Sequence, residues 1–258
     1  MYGYQVKKRD DEKLRTRLRE LAEQRKRWGC PMLHAVLKRE GLVQNHKRTE
    51  RIYKEENLII HKRRRKKRAS HVRLDVEKAT RSNEIWAMDF IEDRLSSGRK
   101  LRCLTIVDTF TKEGIAIETD TSLGGERVTR VLDRISMTRD LPKYITIDNG
   151  PEFISRAMDD WAYRNNVQLN FSRPGKPVDN CYIESFHDKF REECLNMHYF
   201  STLAEAKYII EGWRRDYNEV RPHSTLNYQT PNEFAQKIEN QVGINTVKLY
   251  SRVVLKRG

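Results

Sequence analysis

Tyr144-Ile145-Thr146-Ile147-Asp148-Asn149-Gly150-Pro151 is the stretch on which the fold turns. Its first residues read as a short buried strand, Asn149-Gly150 as a turn, and Pro151 as the first-turn residue of a helix. Downstream, Ile154, Ala157, Met158 and Trp161 recur at helical spacing, and Val167 to Phe171 form a further strand. Upstream, Ile85 to Ile91, Leu101 to Asp108 and Ile115 to Thr119 read as three successive strands, the first two joined by a turn around Ser96-Ser97-Gly98. Val128, Val131, Leu132 and Ile135 mark a helix between the third strand and the fourth. The order β-β-β-α-β-α-β predicts an α/β fold, a mixed sheet with helices packed on it.

Beyond the fifth strand, two prolines and a glycine in Ser172-Arg173-Pro174-Gly175-Lys176-Pro177 enforce a loop. A helix from about Asp179 to Leu195 follows, with Ile183, Phe186, Phe190 and Cys194 as its buried stripe. Thr202 with Glu205 forms a capping box for the next helix, whose stripe is Ala206, Ile210, Trp213 and Tyr217. Thr230-Pro231-Asn232-Glu233 is a second such box, and the tail from about Gln241 has no assignment.

Three carboxylates stand out against this frame. Asp89 lies inside the apolar run Trp86-Ala87-Met88-Asp89-Phe90-Ile91, where a charge is costly unless it is paired or holds a metal. Asp148 ends the fourth strand, and Glu184 sits beside the apolar stripe of its helix. Acids from three separate elements suit divalent cations, because Mg²⁺ prefers oxygen ligands together with water and substrate phosphate. Two such ions about 4 Å apart activate an attacking hydroxyl and stabilise the leaving oxygen of a phosphodiester. Arg191, seven residues after Glu184, falls within about 20° of the same helix face, where a cation would hold a DNA backbone. His187, Asp108 and Glu152 are secondary candidates.

Charge is unevenly distributed along the chain. Of a net +14 over 258 residues, residues 1–81 carry 26 Lys/Arg against 11 Asp/Glu, while residues 82–258 carry 25 against 26. A basic head on a neutral body attracts polyanions, with nucleic acid the leading partner. Within the head, Leu14, Leu18, Leu21 and Ala22 mark a first amphipathic helix, from Asp10 to Trp28. Pro31 opens a second, with Leu33, Val36 and Leu37 buried and Gly41 as its stop; Asn45 caps a third, with Ile52 inward and Lys47, Arg48, Arg51 and Lys54 outward. A basic second helix after a short turn is the helix-turn-helix pattern. The run Lys62-Arg63-Arg64-Arg65-Lys66-Lys67-Arg68 reads as a linker that tracks phosphates. Cys30, Cys103, Cys181 and Cys194 make no CxxC pair, which points to a reducing cytoplasm, and no apolar run approaches the roughly 20 residues of a membrane span.

Taken together, the blocks Ile85-Trp86-Ala87-Met88-Asp89-Phe90, Thr146-Ile147-Asp148-Asn149-Gly150-Pro151-Glu152-Phe153 and Arg173-Pro174-Gly175-Lys176-Pro177-Val178-Asp179-Asn180-Cys181-Tyr182-Ile183-Glu184-Ser185-Phe186 resemble the three catalytic blocks of bacterial insertion-sequence transposases with a retroviral-integrase-like core. The 35 residues between Asp148 and Glu184 match that family's Asp-Asp-35-Glu spacing. The likeness runs on through Arg191-Glu192-Glu193-Cys194-Leu195, Asp216 to Leu226 and Thr230 to Phe234, and back to His46-Lys47-Arg48 and Ile52 to Leu58. In detail the chain is similar to the second-reading-frame protein of the third insertion-sequence family.

The resemblance implies a ribonuclease-H-like core in which Asp89, Asp148 and Glu184 bind two Mg²⁺ or Mn²⁺ ions and catalyse cleavage and strand transfer. It implies a helix-turn-helix module over 1–60, a basic linker over 61–81, the catalytic core with its C-terminal helices over 82–237 and an unassigned tail over 238–258. Arg191, Lys176, Arg173, the outward cations of the third helix and Arg63 to Arg68 are the expected contacts to double-stranded DNA. Bringing two element ends together calls for a homo-oligomer on DNA, and an upstream-frame protein or frameshift fusion is a further expected partner. The expected place is the bacterial cytoplasm, at the nucleoid. A DNA-binding regulator or inactive remnant would share the basic head, and a structure-specific nuclease would share the acidic core.

Overall fold

The computed structural model describes residues 11–60, 78–173 and 180–241. These fall into two compact units, the helical head with the segment 222–229, and the sheet with its helices.

In the head, α1 (Glu12–Gln24), α2 (Cys30–Arg39) and α3 (His46–Glu55) bury Leu14, Leu18 and Leu21 against Leu33, Leu37, Ile52 and Tyr53. The first helix is shorter than its amphipathic pattern, and Trp28 joins the core from the turn that follows. Pro31 sits in the first turn of α2, and Gly41 takes φ +73°, a left-handed conformation that ends the helix at little cost. Thr49 is fully buried, its hydroxyl 2.8 Å from His34 Nδ1, so a polar side chain in the core has a partner. Asn45 caps α3 by accepting from Lys47 N–H at 3.0 Å. Asn45→Ala is expected to cost about 1 kcal/mol of head stability in urea unfolding; an unchanged midpoint would remove the cap from the account.

The second unit is built on β1 (Ile85–Arg94), β2 (Lys100–Asp108), β3 (Gly114–Asp120), β4 (Tyr144–Ile147) and β5 (Gln168–Phe171), in the order β3-β2-β1-β4-β5. β2 is antiparallel to β1 and β3, whereas β4 is parallel to β1 and β5. Along β1, Trp86 and Met88 point to the face covered by α4 (Gly125–Ser136) and α5 (Arg156–Arg164). Ala87 and Ile91 point to the other, covered by α6 (Cys181–Glu193) and α7 (Leu203–Glu219). Coverage on both faces is why the strand reads as a continuous apolar run rather than an alternation.

Gly114 of β3 is where α7 is fastened. Asn218 accepts from Gly114 N–H at 2.9 Å and donates to Gly114 O at 3.0 Å, and Arg214 adds a donor to the same carbonyl at 2.8 Å. One predicted capping box forms in full, while at the other the Glu205 carboxylate accepts from Ser201 N–H at 2.7 Å instead of from Thr202 N–H. Glu205 N–H donates to Thr202 Oγ1 at 3.1 Å, and Thr230 and Glu233 exchange bonds at 2.7 and 3.1 Å at the head of a helix over 231–241. Among the described residues no helix is long and apolar enough to cross a membrane.

One predicted element starts elsewhere. The helix expected from Pro151 begins at Arg156, capped by Ser155, because Phe153 and Ile154 N–H groups first close a turn on Gly150 O. Phe153 is the buried residue of that turn, stacked on Phe90 at 5.1 Å between centroids, and Ile154, expected inside, is exposed.

Glu118 of β3 is buried between Arg127 and Arg134 of α4, each 2.7 Å away. Burial by itself raises the carboxyl, but the hydrogen bonds from Arg134 and Arg127 outweigh it and hold it below its ordinary 4.5. A depressed carboxyl contributes stability above 4.5 that is lost as pH falls through the lowered folded value. Glu118→Gln is therefore expected to flatten part of the fall in unfolding free energy on acidification below that point; an unchanged acid slope would refute it.

Candidate functional site

β1 and β4 lie side by side with Ile85 against Tyr144, Trp86 against Ile145 and Ala87 against Thr146. Carried two residues further, that register brings Asp89 level with Asp148, which follows the last residue of β4. Adjacent strands stand about 4.8 Å apart. Two residues on from Ala87, Asp89 shares its parity and so faces the layer of α6, the helix that carries Glu184. Two strands thus set two acids, far apart in sequence, level with each other, and the helix that carries the third packs on the face to which Asp89 belongs.

The Asp89 side chain is 22% exposed and accepts from Phe90 N–H at 2.7 Å. Burial raises its carboxyl to about 6; the Phe90 amide pulls the other way, and the charges of Asp148 and Glu184 add to the rise. Asp89 therefore feels the charge of both other acids. Asp148 is oriented by Gly150 N–H, which donates to Oδ1 at 2.9 Å, and Glu184 is exposed. Among the described residues no three acidic, His or Cys side chains stand within joint reach of one ion. The donor chemistry nevertheless fits a divalent cation, since carboxylate oxygens are hard ligands and Asp89 is a half-buried carboxyl that also feels the charges of Asp148 and Glu184.

His187, on the α6 face beside Glu184, is directed inward, its side chain 14% exposed. Its Nε2 lies 2.7 Å from Thr105 Oγ1, and its Nδ1 lies 3.7 Å from Asp89 Oδ2. Burial, followed by the charge of Arg191, lowers the imidazole to about 4, against a smaller opposing effect of Asp188, so the ring is neutral near pH 7. Thr105 also donates to the Asp89 carbonyl at 2.9 Å. Thr105 was not among the residues read from the sequence, although the hairpin centred on Ser97 makes it the cross-strand partner of Asp89.

Arg102, also unforeseen, packs over the Phe90 ring at 4.3 Å and pairs with Glu152 at 2.5 Å. It ties the turn after Asp148 to β2 and engages Glu152. Asp108 is fully buried and accepts from Asn83, Phe110 and Thr111 N–H groups at 2.8, 2.8 and 3.0 Å, the work of a turn anchor.

Of the expected DNA contacts, Arg191 is exposed and donates to Glu92 O at 3.4 Å, along β1. In the head, Arg48 and Arg51 pair with Asp11 at 2.6 and 2.5 Å, Arg51 also with Glu55 at 2.8 Å, and Lys54 with Glu50 at 2.8 Å. Lys47 is exposed at the start of α3, and Arg173 is exposed after β5. Such surface pairs are worth about 0–1 kcal/mol, so a phosphate can compete for these cations. Lys176 and Arg63, Arg64, Arg65, Lys66, Lys67 and Arg68 lie outside the described residues.

Comparison with known proteins gives three family matches. Residues 79–177 and 165–231 each match an integrase core domain, and residues 8–68 match an HTH-like domain. The chain is 50% identical over 228 residues to an uncharacterised 31.7 kDa protein of insertion element IS407 from Burkholderia multivorans, covering 88% of this chain and 82% of that one. It is 28% identical to the putative transposase InsK of insertion sequence IS150 from Escherichia coli, over 82% and 78% of the two chains. Among solved structures, a chain of the simian T-cell lymphotropic virus intasome in complex with PP2A regulatory subunit B56 gamma aligns with a TM-score of 0.56 at 16% identity, over 84% of this chain and 74% of that one. The HTLV-2 integrase catalytic core, solved with magnesium, aligns at 0.50 and 17%, over 61% and 99%. At these identities the two structures establish a shared fold, the mixed sheet of an integrase core.

Proposed function

The chain belongs to the insertion-element transposases built on an integrase core, and from that membership we propose that Asp89, Asp148 and Glu184 are the acidic centre at which it cuts and joins DNA. It is a transposase, an enzyme that acts on phosphodiesters at the ends of its element. The observation that carries the assignment of the centre is the β1–β4 register, which sets Asp89 level with Asp148, together with the charge of Glu184 felt at Asp89.

In this reading the three carboxylates would hold two divalent cations, Mg²⁺ or Mn²⁺, which when bound supply Lewis acidity and lower the pKa of the attacking hydroxyl. Water attacks the phosphodiester at the element's end, one P–O bond forming as another breaks, and the released 3′-hydroxyl then attacks a second strand in the same way. Both displacements proceed without a covalent bond to the enzyme. Gly150 N–H keeps Asp148 in its orientation, and Phe90 N–H does the same for Asp89, so both acids are aligned before substrate arrives. Arg173, Lys176 and Arg191 hold the strand near the centre, and the head over 1–60 with the linker over 61–81 grips the duplex through Lys47, Arg48, Arg51, Lys54 and Arg63 to Arg68. Pairing two ends requires at least a dimer on DNA, and an upstream-frame partner or frameshift fusion supplies further DNA binding. The protein works in the bacterial cytoplasm, on nucleoid DNA.

The test is incubation of the full chain, alone and fused to the upstream reading frame, with a duplex carrying the element's genomic ends and Mn²⁺. End cleavage with joined strands is expected. Binding without products in both forms would overturn the reading in favour of a binding-only protein, and cleavage without joining would favour a nuclease.

A further inference from the structure

A threonine hydroxyl has one proton and two lone pairs. Thr105 Oγ1 directs that proton to the Asp89 carbonyl oxygen at 2.9 Å. Its 2.7 Å contact with His187 Nε2 must then be one in which the ring donates and the hydroxyl accepts. With Nε2–H committed to Thr105, Nδ1 is the ring nitrogen left to offer a lone pair to an ion. That lone pair faces Asp89 Oδ2 at 3.7 Å. Two acceptors set against each other repel, but 3.7 Å is within the span of two donors sharing one ion at about 2.1 Å. A hydrogen bond at the far ring nitrogen is also how proteins orient a metal-ligating histidine.

We propose that His187 Nδ1 is a direct donor, beside Asp89, to the divalent cation of the acidic centre. The inference rests on the acidic-centre reading above. Its chemical consequence is a preference for Mn²⁺ over Mg²⁺, because an imidazole nitrogen suits the transition metal while Mg²⁺ favours oxygen. Thr105 is the positioning residue: it fixes which nitrogen is free.

The experiment is Mn²⁺ binding to the untagged full-length protein, read by calorimetric titration and by pulsed electron paramagnetic resonance for coupling of the bound ion to an imidazole nitrogen. Wild type is expected to show the nitrogen coupling. His187→Ala is expected to lose it and to bind Mn²⁺ about tenfold more weakly or worse, with Mg²⁺ binding changed by less. Thr105→Val keeps the shape of the buried side chain and removes the acceptor, and is expected to weaken Mn²⁺ binding while Mg²⁺ binding holds. Bound Mn²⁺ in wild type without nitrogen coupling overturns the proposal, and that measurement needs no variant to fold. Asp89→Asn titrated in parallel separates the two levels. Binding lost there but intact in His187→Ala overturns the imidazole donor alone, while binding intact in Asp89→Asn overturns the acidic centre with it.

Discussion

Asp148→Asn is expected to reduce end cleavage and strand joining by roughly 10³-fold or more while leaving affinity for the duplex nearly unchanged. The substitution is close to isosteric, and an amide oxygen can still accept from Gly150 N–H, so the turn after β4 keeps its shape. What is lost is one negative charge from a centre whose chemistry depends on several kcal/mol of charge stabilisation in the transition state. Labelled element ends resolved on a denaturing gel give the activity, and fluorescence anisotropy gives the binding. Full activity in Asp148→Asn would remove that residue from the centre. Asp89→Asn and Glu184→Gln are expected to behave alike in chemistry, but Asp89→Asn should also raise the melting temperature without added metal. The Asp89 carboxyl is raised in the folded protein, so its ionised form weakens the fold as pH rises through about 6, and an amide is spared that penalty.

Phe186→Ala carries the largest expected loss of stability, about 3–5 kcal/mol. The ring lies edge-on to Trp213 at 5.5 Å and to Tyr217 at 4.9 Å, and tilts against Phe190 at 6.4 Å, so it joins α6 to α7 as well as to the sheet. Opposite it is Gly114, where even a methyl group would come within 3.0 Å of Phe186 Cε2. A cavity here loosens the helix that carries Glu184 and His187. Denaturant unfolding measures the first effect, and the cleavage rate at a temperature where the variant is still folded measures the second. Phe186→Leu should recover much of both. A loss below about 1 kcal/mol in Phe186→Ala would mean that α6 is held chiefly by other contacts.

The order of strands and helices was legible because both periodicities are strong: the stripe Ile183, Phe186, Phe190 and Cys194 is buried as expected, and all five strands form near their predicted places. The error at Pro151 has a local cause, because proline fits a turn as well as a first helical turn, and only the sheet-side pocket formed with Phe90 decides that Phe153 rather than Ile154 goes inside. Side-chain pairing was less accessible. Arg48 and Arg51 read as outward cations, but Arg48 is half-buried and Asp11 meets the two from 37 and 40 residues away. His187 read only as a secondary candidate. Its inward direction follows from the crossing of α6 over β2 at Thr105, a contact between residues 82 positions apart.

In the proposed assignment, the parallel pairing of β1 with β4 also dictates when the protein can cut DNA. Asp89 and Asp148 meet only after the chain has made two antiparallel strands and packed α4, and Glu184 arrives later still, with α6. Contacts of such sequence separation form slowly. A nascent or truncated chain ending before α6 therefore has a basic head and two acids, but no complete centre. The topology makes cutting a property of the finished molecule, so that a half-made copy can occupy a site on DNA without breaking it.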